Sequence, residues 1–284
     1  MKNFTLPFRM RFCVSLTIAA IIIVGCSKNE STEPGGEPQE IPPISSFLLD
    51  FNDFPLSSTE TLSANGTMKS LGILSHDNWG WAALNVVVWQ TLVTVGMVVP
   101  VAAFLESFNH EPEQQPDGAW VWTYHFTIPG GIQHTALLHA DVDNLGIRWD
   151  MYISKQNEYT DFLCYAGSCD LLVTEGTWTV NRHPENPSPW IGIEWHRNPQ
   201  DNTADIKYTN IIPNGPENGG FIFYGTITDA TYDAFYDIYN IGQDNHTDIR
   251  WNRTTLSGKV MDQNYFADDA WHCWDENLED VECP

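Results

Sequence analysis

From Trp120 onward, apolar and polar residues alternate with a period of two. Trp120, Trp122, Tyr124, Phe126 and Ile128 fall on one face, and Val121, Thr123, His125 and Thr127 on the other. That is the pattern of a strand with one buried side. Pro129-Gly130-Gly131 interrupts the run and predicts a hairpin turn. A return strand is expected over 132–142, then a turn at Asp143-Asn144-Leu145-Gly146, then an inner face through Ile147, Trp149, Met151 and Ile153. Further strands are expected near 162–166, 171–181, 190–197, 204–211, 219–227, 232–241, 248–254 and 256–262. Turns such as Pro199-Gln200-Asp201-Asn202 and Asn214-Gly215-Pro216 separate them. About ten or eleven short strands with no helical pattern between them predict an antiparallel meander.

Upstream, Trp79 to Leu105 runs twenty-seven residues without a charge. Asn85 and Gln90 are its strongly polar members, so the segment has no wet face and is expected to be buried. Its many valines would suit strands, but its length and an N-cap at Ser75 or Asp77 favour a helix, bent or broken at Pro100. About 20 apolar residues suffice to span a bilayer. Against that, no Lys or Arg lies between Lys69 and Arg148 to fix an orientation. A long sheet with one aromatic face must curl, and a curled sheet needs apolar filling. The expected fold is therefore mainly β: an open or closed antiparallel barrel packed around one long apolar helix. The alternatives are a β-sandwich with the helix outside and a membrane-spanning helix.

The amino terminus reads as a targeting segment. Lys2, Arg9 and Arg11 form a basic n-region before the apolar core Val14–Val24. It ends in Ile23-Val24-Gly25-Cys26, which resembles the lipobox of bacterial lipoproteins. The resemblance implies that Cys26 is acylated and becomes the first mature residue, a membrane partner through the lipid anchor. Ser27 at the next position implies sorting to the outer membrane of a two-membrane envelope. Ser27 to Ser46 holds four Pro, two Gly and four Glu and reads as a solvated tether. The expected organisation is a signal at 1–25, lipidated Cys and tether at 26–46, an N-terminal segment with the apolar helix at 47–118, and the β domain at 119–284.

The net charge is −24, and loss of the signal removes three bases and no acids. Such acidity excludes a nucleic-acid partner and disfavours anionic membrane surfaces. Of six cysteines, Cys13 lies in the signal and Cys26 at the lipid position. The remaining four allow three pairings. Short, turn-rich intervals point to Cys164–Cys169 and Cys273–Cys283, which an oxidising compartment permits. Neither spacing matches a zinc site. A spanning helix at 79–105 would return these thiols to the reducing side.

Three further resemblances are architectural or local. Meander, helix and lipid anchor together resemble the Lol-type lipoprotein carriers, whose unclosed barrels hold acyl chains; no motif of theirs is present, so no functional residue carries over. The chain also looks like the uncharacterised lipoproteins that bear an Asn-His-x-Pro-x-Gln-x-x-Asp-Gly segment, here Asn109–Gly118, and Trp-His-Cys-Trp-Asp-Glu-Asn, here Trp271–Asn277. Gly176-Thr177-Trp178 resembles the lipocalin Gly-x-Trp but sits in mid-meander, and reads as a strand tryptophan.

No nucleophile elbow, zinc-protease helix, phosphate loop or dinucleotide fingerprint is present. Pairing Ile128 with Ile132 sets His125 opposite Thr135, His134 opposite Phe126 and His139 opposite Val121. His125 and His139 then lie about 13 Å apart on the ladder and cannot share a metal. Asp141, Asp143 and Asn144 fail the calcium-loop pattern and read as a polar turn. No metal or cofactor is expected. The functional expectation is a non-enzymatic envelope lipoprotein whose inner face, Trp120, Trp122, Tyr124, Phe126, His134 and Trp149, meets a hydrophobic ligand or an envelope protein. The alternative is a structural or interaction module with the helix as a permanent plug. An enzyme would require three or more of His134, Asp150, Glu194 and Asn252 to converge in a pocket.

Overall fold

The computed structural model describes residues 37–56 and 77–284. The expected signal segment with Cys13, the expected acylation position Cys26, the expected tether up to residue 36 and the cap candidate Ser75 lie outside the described residues. Residues 36–284 form one compact unit. Its body is a single antiparallel sheet in chain order: β1 (Glu113–Gln114), β2 (Trp120–Ile128), β3 (Ile132–Val142), β4 (Ile147–Lys155), β5 (Tyr159–Cys169), β6 (Glu175–Arg182), β7 (Ser188–Asn198), β8 (Thr203–Asn210), β9 (Phe221–Thr226), β10 (Ala234–Asn240), β11 (Asn245–Trp251), β12 (Gly258–Asp262), β13 (His272–Trp274) and β14 (Asp280–Val281).

The meander is as expected, but it has fourteen strands where the alternation predicts ten or eleven. The three added strands, β1, β13 and β14, are two or three residues long, too short to carry a period. The sheet is not closed: β1 pairs only with β2 and β14 only with β13. The β2–β3 register is the expected one, with Ile128 facing Ile132, His125 facing Thr135 and His134 facing Phe126.

The charge-free run forms two helices, α1 (Asp77–Gly96) and α2 (Val98–Ser107), bent by 71°. No single helix among the described residues is long and apolar enough to cross a membrane. The break falls at Met97 rather than at Pro100, because Pro100 lacks the N–H that would bond the Gly96 carbonyl four residues back. The proline itself sits in the first turn of α2, where that donor is not needed. Gly96 is held against the indole of Trp190, where any Cβ would collide with the ring.

The helices brace the open sheet at its two ends: α1 packs on β11–β14 and α2 on β2. Trp81 donates from Nε1 to Asp262 Oδ2 at 2.9 Å, and Asn78 Nδ2 to the Cys273 carbonyl at 2.8 Å. Buried Asp262 also accepts from Asn245 and Thr247, a cluster that satisfies a carboxylate which would be costly if unpaired. Composition predicts a run buried on every side, and this is corrected by the structure. Val88, Leu92 and Val95 on one face of α1 are 47%, 54% and 72% exposed.

The interior is filled chiefly by a stretch that composition assigns in part to the tether. Ile41 is already buried, a 3-10 turn at Ile44–Ser46 packs on β7 and β8, and Phe47, Leu49, Phe51 and Phe54 enter the core. Phe47 stacks on Phe104 of α2 with centroids 4.7 Å apart and meets Tyr165 and Trp178. Phe54 meets Tyr236, Trp251 and Trp274. Backbone groups of this segment are satisfied by inward side chains: Tyr208 donates to the Phe47 carbonyl at 2.5 Å and accepts from the Leu49 N–H, and Trp251 Nε1 donates to the Asp53 carbonyl at 2.8 Å.

Around this filling the sheet alternates large and small side chains. Trp120, Ala140, Trp149, Gly167 and Trp178 are successive cross-strand partners. At Gly167 a Cβ would strike the Trp178 ring, so hydrogen here lets the indole lie flat on the sheet.

If residues 47–54 are core, Phe47→Ala costs about 3–5 kcal/mol in urea unfolding. The nearby Ile44→Ser, at an exposed position, stays within about 0.5 kcal/mol. Equal, small effects of both would place the segment outside the core.

Candidate functional site

The six residues expected to face a ligand do point inward, but five of them are spent on packing. Trp122 and Trp149 lie 5.7 Å apart between ring centres, and Trp149 Nε1 donates to Cys169 Sγ at 3.4 Å. Tyr124 donates to the Ala103 carbonyl of α2 at 2.5 Å, His110 stacks on its ring, and burial pushes its hydroxyl pKa far up. Trp120 and Phe126 belong to the same buried cluster. These five line none of the larger clefts described below.

His134 differs. It is 4% exposed, stacked on Phe126 at 5.1 Å, and its Nδ1 has no hydrogen-bond partner. Burial, together with nearby Lys155, lowers its pKa below the ordinary 6.5. It borders an outer depression of about 490 Å³ shared with His125, Thr135, Lys155 and Tyr159. His125 there is bonded to Thr135 at 3.1 Å, across the rung that the register predicts.

On the outer face, β4 to β7 set Arg148, Ser168, Thr177 and Glu194 side by side. With Glu175 and His196 they line an open cleft of about 520 Å³. Its basic groups are already occupied: Arg148 by Asp141 and Asp150, and His196 by Asp205 at 2.8 Å. The four groups whose convergence would indicate catalysis do not meet. His134 and Glu194 line different clefts, Asp150 pairs with Arg148, and Asn252 donates to the Thr231 carbonyl. Among the described residues no three His, Cys, Asp or Glu side chains are grouped to hold a metal. The Asp143 turn is a polar turn, its Oδ1 accepting from the N–H groups of Leu145 and Gly146.

The cysteine expectation is half met. Cys273 and Cys283 form a disulfide that closes the β13–β14 tail. Cys164 and Cys169 are free and buried, which corrects the expected Cys164–Cys169 bridge. Tyr165-Ala-Gly-Ser is strand rather than turn. Five residues of extended chain separate the two Cα atoms by about 16 Å, far beyond the roughly 7 Å limit of a disulfide. Burial raises both thiol pKa values.

Sequence reasoning missed the groups that seat the inserted segment. Asp53 is bonded by Tyr224 and lies 3.5 Å from Arg253, which also holds Asp233 at 3.1 Å. The available signal was the cluster Phe47, Leu49, Phe51 and Phe54 directly after the proline-rich stretch.

One exposed apolar surface is the α1 face, and strand direction places it. The ends of β6, β8, β10 and β12 share one rim of the sheet, here the upper rim. Trp81 is bonded to Asp262, the last residue of β12, and Gly96 abuts Trp190 near the start of β7, so α1 crosses this upper rim. The inserted segment runs from Tyr208, near the upper end of β8, to Trp251 and Arg253 at the lower rim. Its N-terminal end therefore points to the rim that α1 crosses.

Comparison of the chain with family models, curated proteins and solved structures gives no match in any of the three.

Two measurements check these assignments. Unfolding without reductant exposes two thiols, from Cys164 and Cys169, in a chain starting at Ser27, whereas the native protein reacts slowly; none on unfolding would restore the second bridge. The depressed His134 pKa means that the unfolded state takes up its proton first as pH falls through about 6.5. Stability is thus held above that pH and lost below it, and His134→Phe flattens the fall in melting temperature between about pH 7 and pH 5. An unchanged slope would remove the histidine from the acid response.

Proposed function

We propose that this chain is a lipid-anchored envelope lipoprotein, acylated at Cys26 and sorted to the outer membrane. In this reading it works as a non-enzymatic structural or protein-interaction module, and the inside of its β domain is never vacated for a ligand. One observation carries the choice of module over carrier: Phe47 and Phe54, at 0% and 1% exposure, occupy the middle of the aromatic wall where a hydrophobic guest would sit. The permanent plug is then the 41–56 segment together with α2, rather than the long helix alone.

Opening such a core would leave the Phe47 and Asp53 carbonyls without Tyr208 and Trp251, and would bare several large aromatic side chains. A carrier has to open at low cost, and this interior does not. Partners are left to the outer surface, whose acidity agrees with exclusion of nucleic acid.

The test has two arms. Organic extraction of the purified chain starting at Ser27 yields no stoichiometric lipid, and a fluorescent fatty acid gives no saturable signal with it. In cells of a lipoprotein-processing host, radioactive palmitate labels the full chain and Cys26→Ser abolishes the label. Copurifying lipid at one per chain would return the carrier reading, and an unlabelled wild-type chain would remove the anchor.

A further inference from the structure

We propose that the exposed face of α1 is a second membrane contact, lying in the headgroup region of a neutral bilayer beside the acylated terminus. The inference takes the Cys26 anchor from the proposed function and adds a site on the folded domain. Leu84, Val88, Leu92 and Val95 recur at helical spacing along one side of α1, and the last three are about half exposed or more. The side turned to the sheet, Trp79, Ala82, Ala83, Val86 and Val87, is buried, so packing is complete without the outer face. No charge interrupts it between Trp79 and Leu105, in a chain that is otherwise strongly acidic.

The position of the chain terminus selects the occupant. The segment that fills the open sheet points its N-terminal end to the rim that α1 crosses, and burial of the chain begins at Ile41. Fourteen residues, Ser27 to Glu40, separate Cys26 from Ile41, a reach of at most about 50 Å. Acyl chains at Cys26 thus hold the domain to the lipid through a tether that enters it at this rim. With that rim at the lipid, Val88, Leu92 and Val95 enter the interface, where apolar side chains sit about 5–10 Å deep. A second copy of the chain is the weaker occupant. Four side chains are far fewer than the roughly 20–30 residues a side of a stable dimer, and two chains of net charge −24 repel each other.

The chain starting at Ser27 keeps the whole compact unit 36–284 and has no acyl group, so it isolates the helix contribution. With phosphatidylcholine vesicles in a flotation gradient, it is expected to rise with the lipid. The triple variant Val88→Ser, Leu92→Ser, Val95→Ser is expected to lower the bound fraction about tenfold, with an unchanged melting temperature. Should the triple variant fail to fold, Val95→Asp at the most exposed position serves instead. Protein left at the bottom of the gradient, or equal flotation of variant and parent, overturns the proposal. So does a dimer by light scattering that the triple variant returns to monomer, which would assign the face to a second copy. Palmitate labelling of the full chain is read separately: labelled full chain with no flotation of the Ser27 chain sinks this inference alone, and flotation without labelling sinks only the acyl anchor.

Discussion

Everything in this fold depends on a short stretch of backbone being lodged inside a sheet that cannot close on itself. Extended backbone in an apolar interior is costly unless its N–H and C=O groups find partners. Here the partners are inward-facing side chains with polar tips. The Tyr208 hydroxyl serves both the Phe47 carbonyl and the Leu49 N–H, and the Trp251 indole serves the Asp53 carbonyl. The aromatic wall therefore has two tasks, burying Phe47 and Phe54 with its rings and satisfying the peptide groups between them with its O–H and N–H groups. This accounts for the preference for Tyr and Trp over aliphatic residues on strands facing the segment.

The same constraint sets what could be read from the amino acids. Strand alternation is a local signal, so the meander, the β2–β3 register and the polar Asp143 turn were legible. Closure is not local: it depends on strand tilt, stagger and whatever occupies the gap, and none of these leaves a period. The charge-free run was legible as helix, but its residues are apolar on every side, so composition did not distinguish the buried face at Ala82, Ala83 and Val86 from the exposed one at Val88, Leu92 and Val95. The tether was overextended because Pro38, Pro42 and Pro43 look like linker, although Pro42 is buried where the chain enters. The Cys164–Cys169 bridge failed for a related reason: Ala166-Gly167-Ser168 has turn-like composition, yet Gly167 is there to admit an indole. For Trp120, Trp122, Tyr124, Phe126, His134 and Trp149, a strand pattern reports which side is dry and not what fills it.

An open sheet leaves two edges, and both are blunted. The outermost strands are only two residues long. Asp280 on β14 accepts from the Asn78 N–H at the start of α1, and the Cys273–Cys283 disulfide ties the same edge to the tail. Short, side-chain-blocked edges offer little template for a foreign strand. The segments Asn109–Gly118 and Trp271–Asn277 include β1 and all of β13, so they lie at these margins rather than in the cleft on the outer face.

The order of the chain gives the lodged segment a temporal meaning. Its hydrogen bonds join residues 159 to 198 positions apart, Leu49 to Tyr208 and Trp251 to Asp53, and the ring that closes over Phe54 belongs to Trp274. A polypeptide delivered from its amino end presents these phenylalanines first and their enclosing wall last. Such long-separation contacts make assembly slow. The nascent molecule carries a bare aromatic strip for nearly the whole of its emergence, an aggregation-prone surface until the final hairpin arrives.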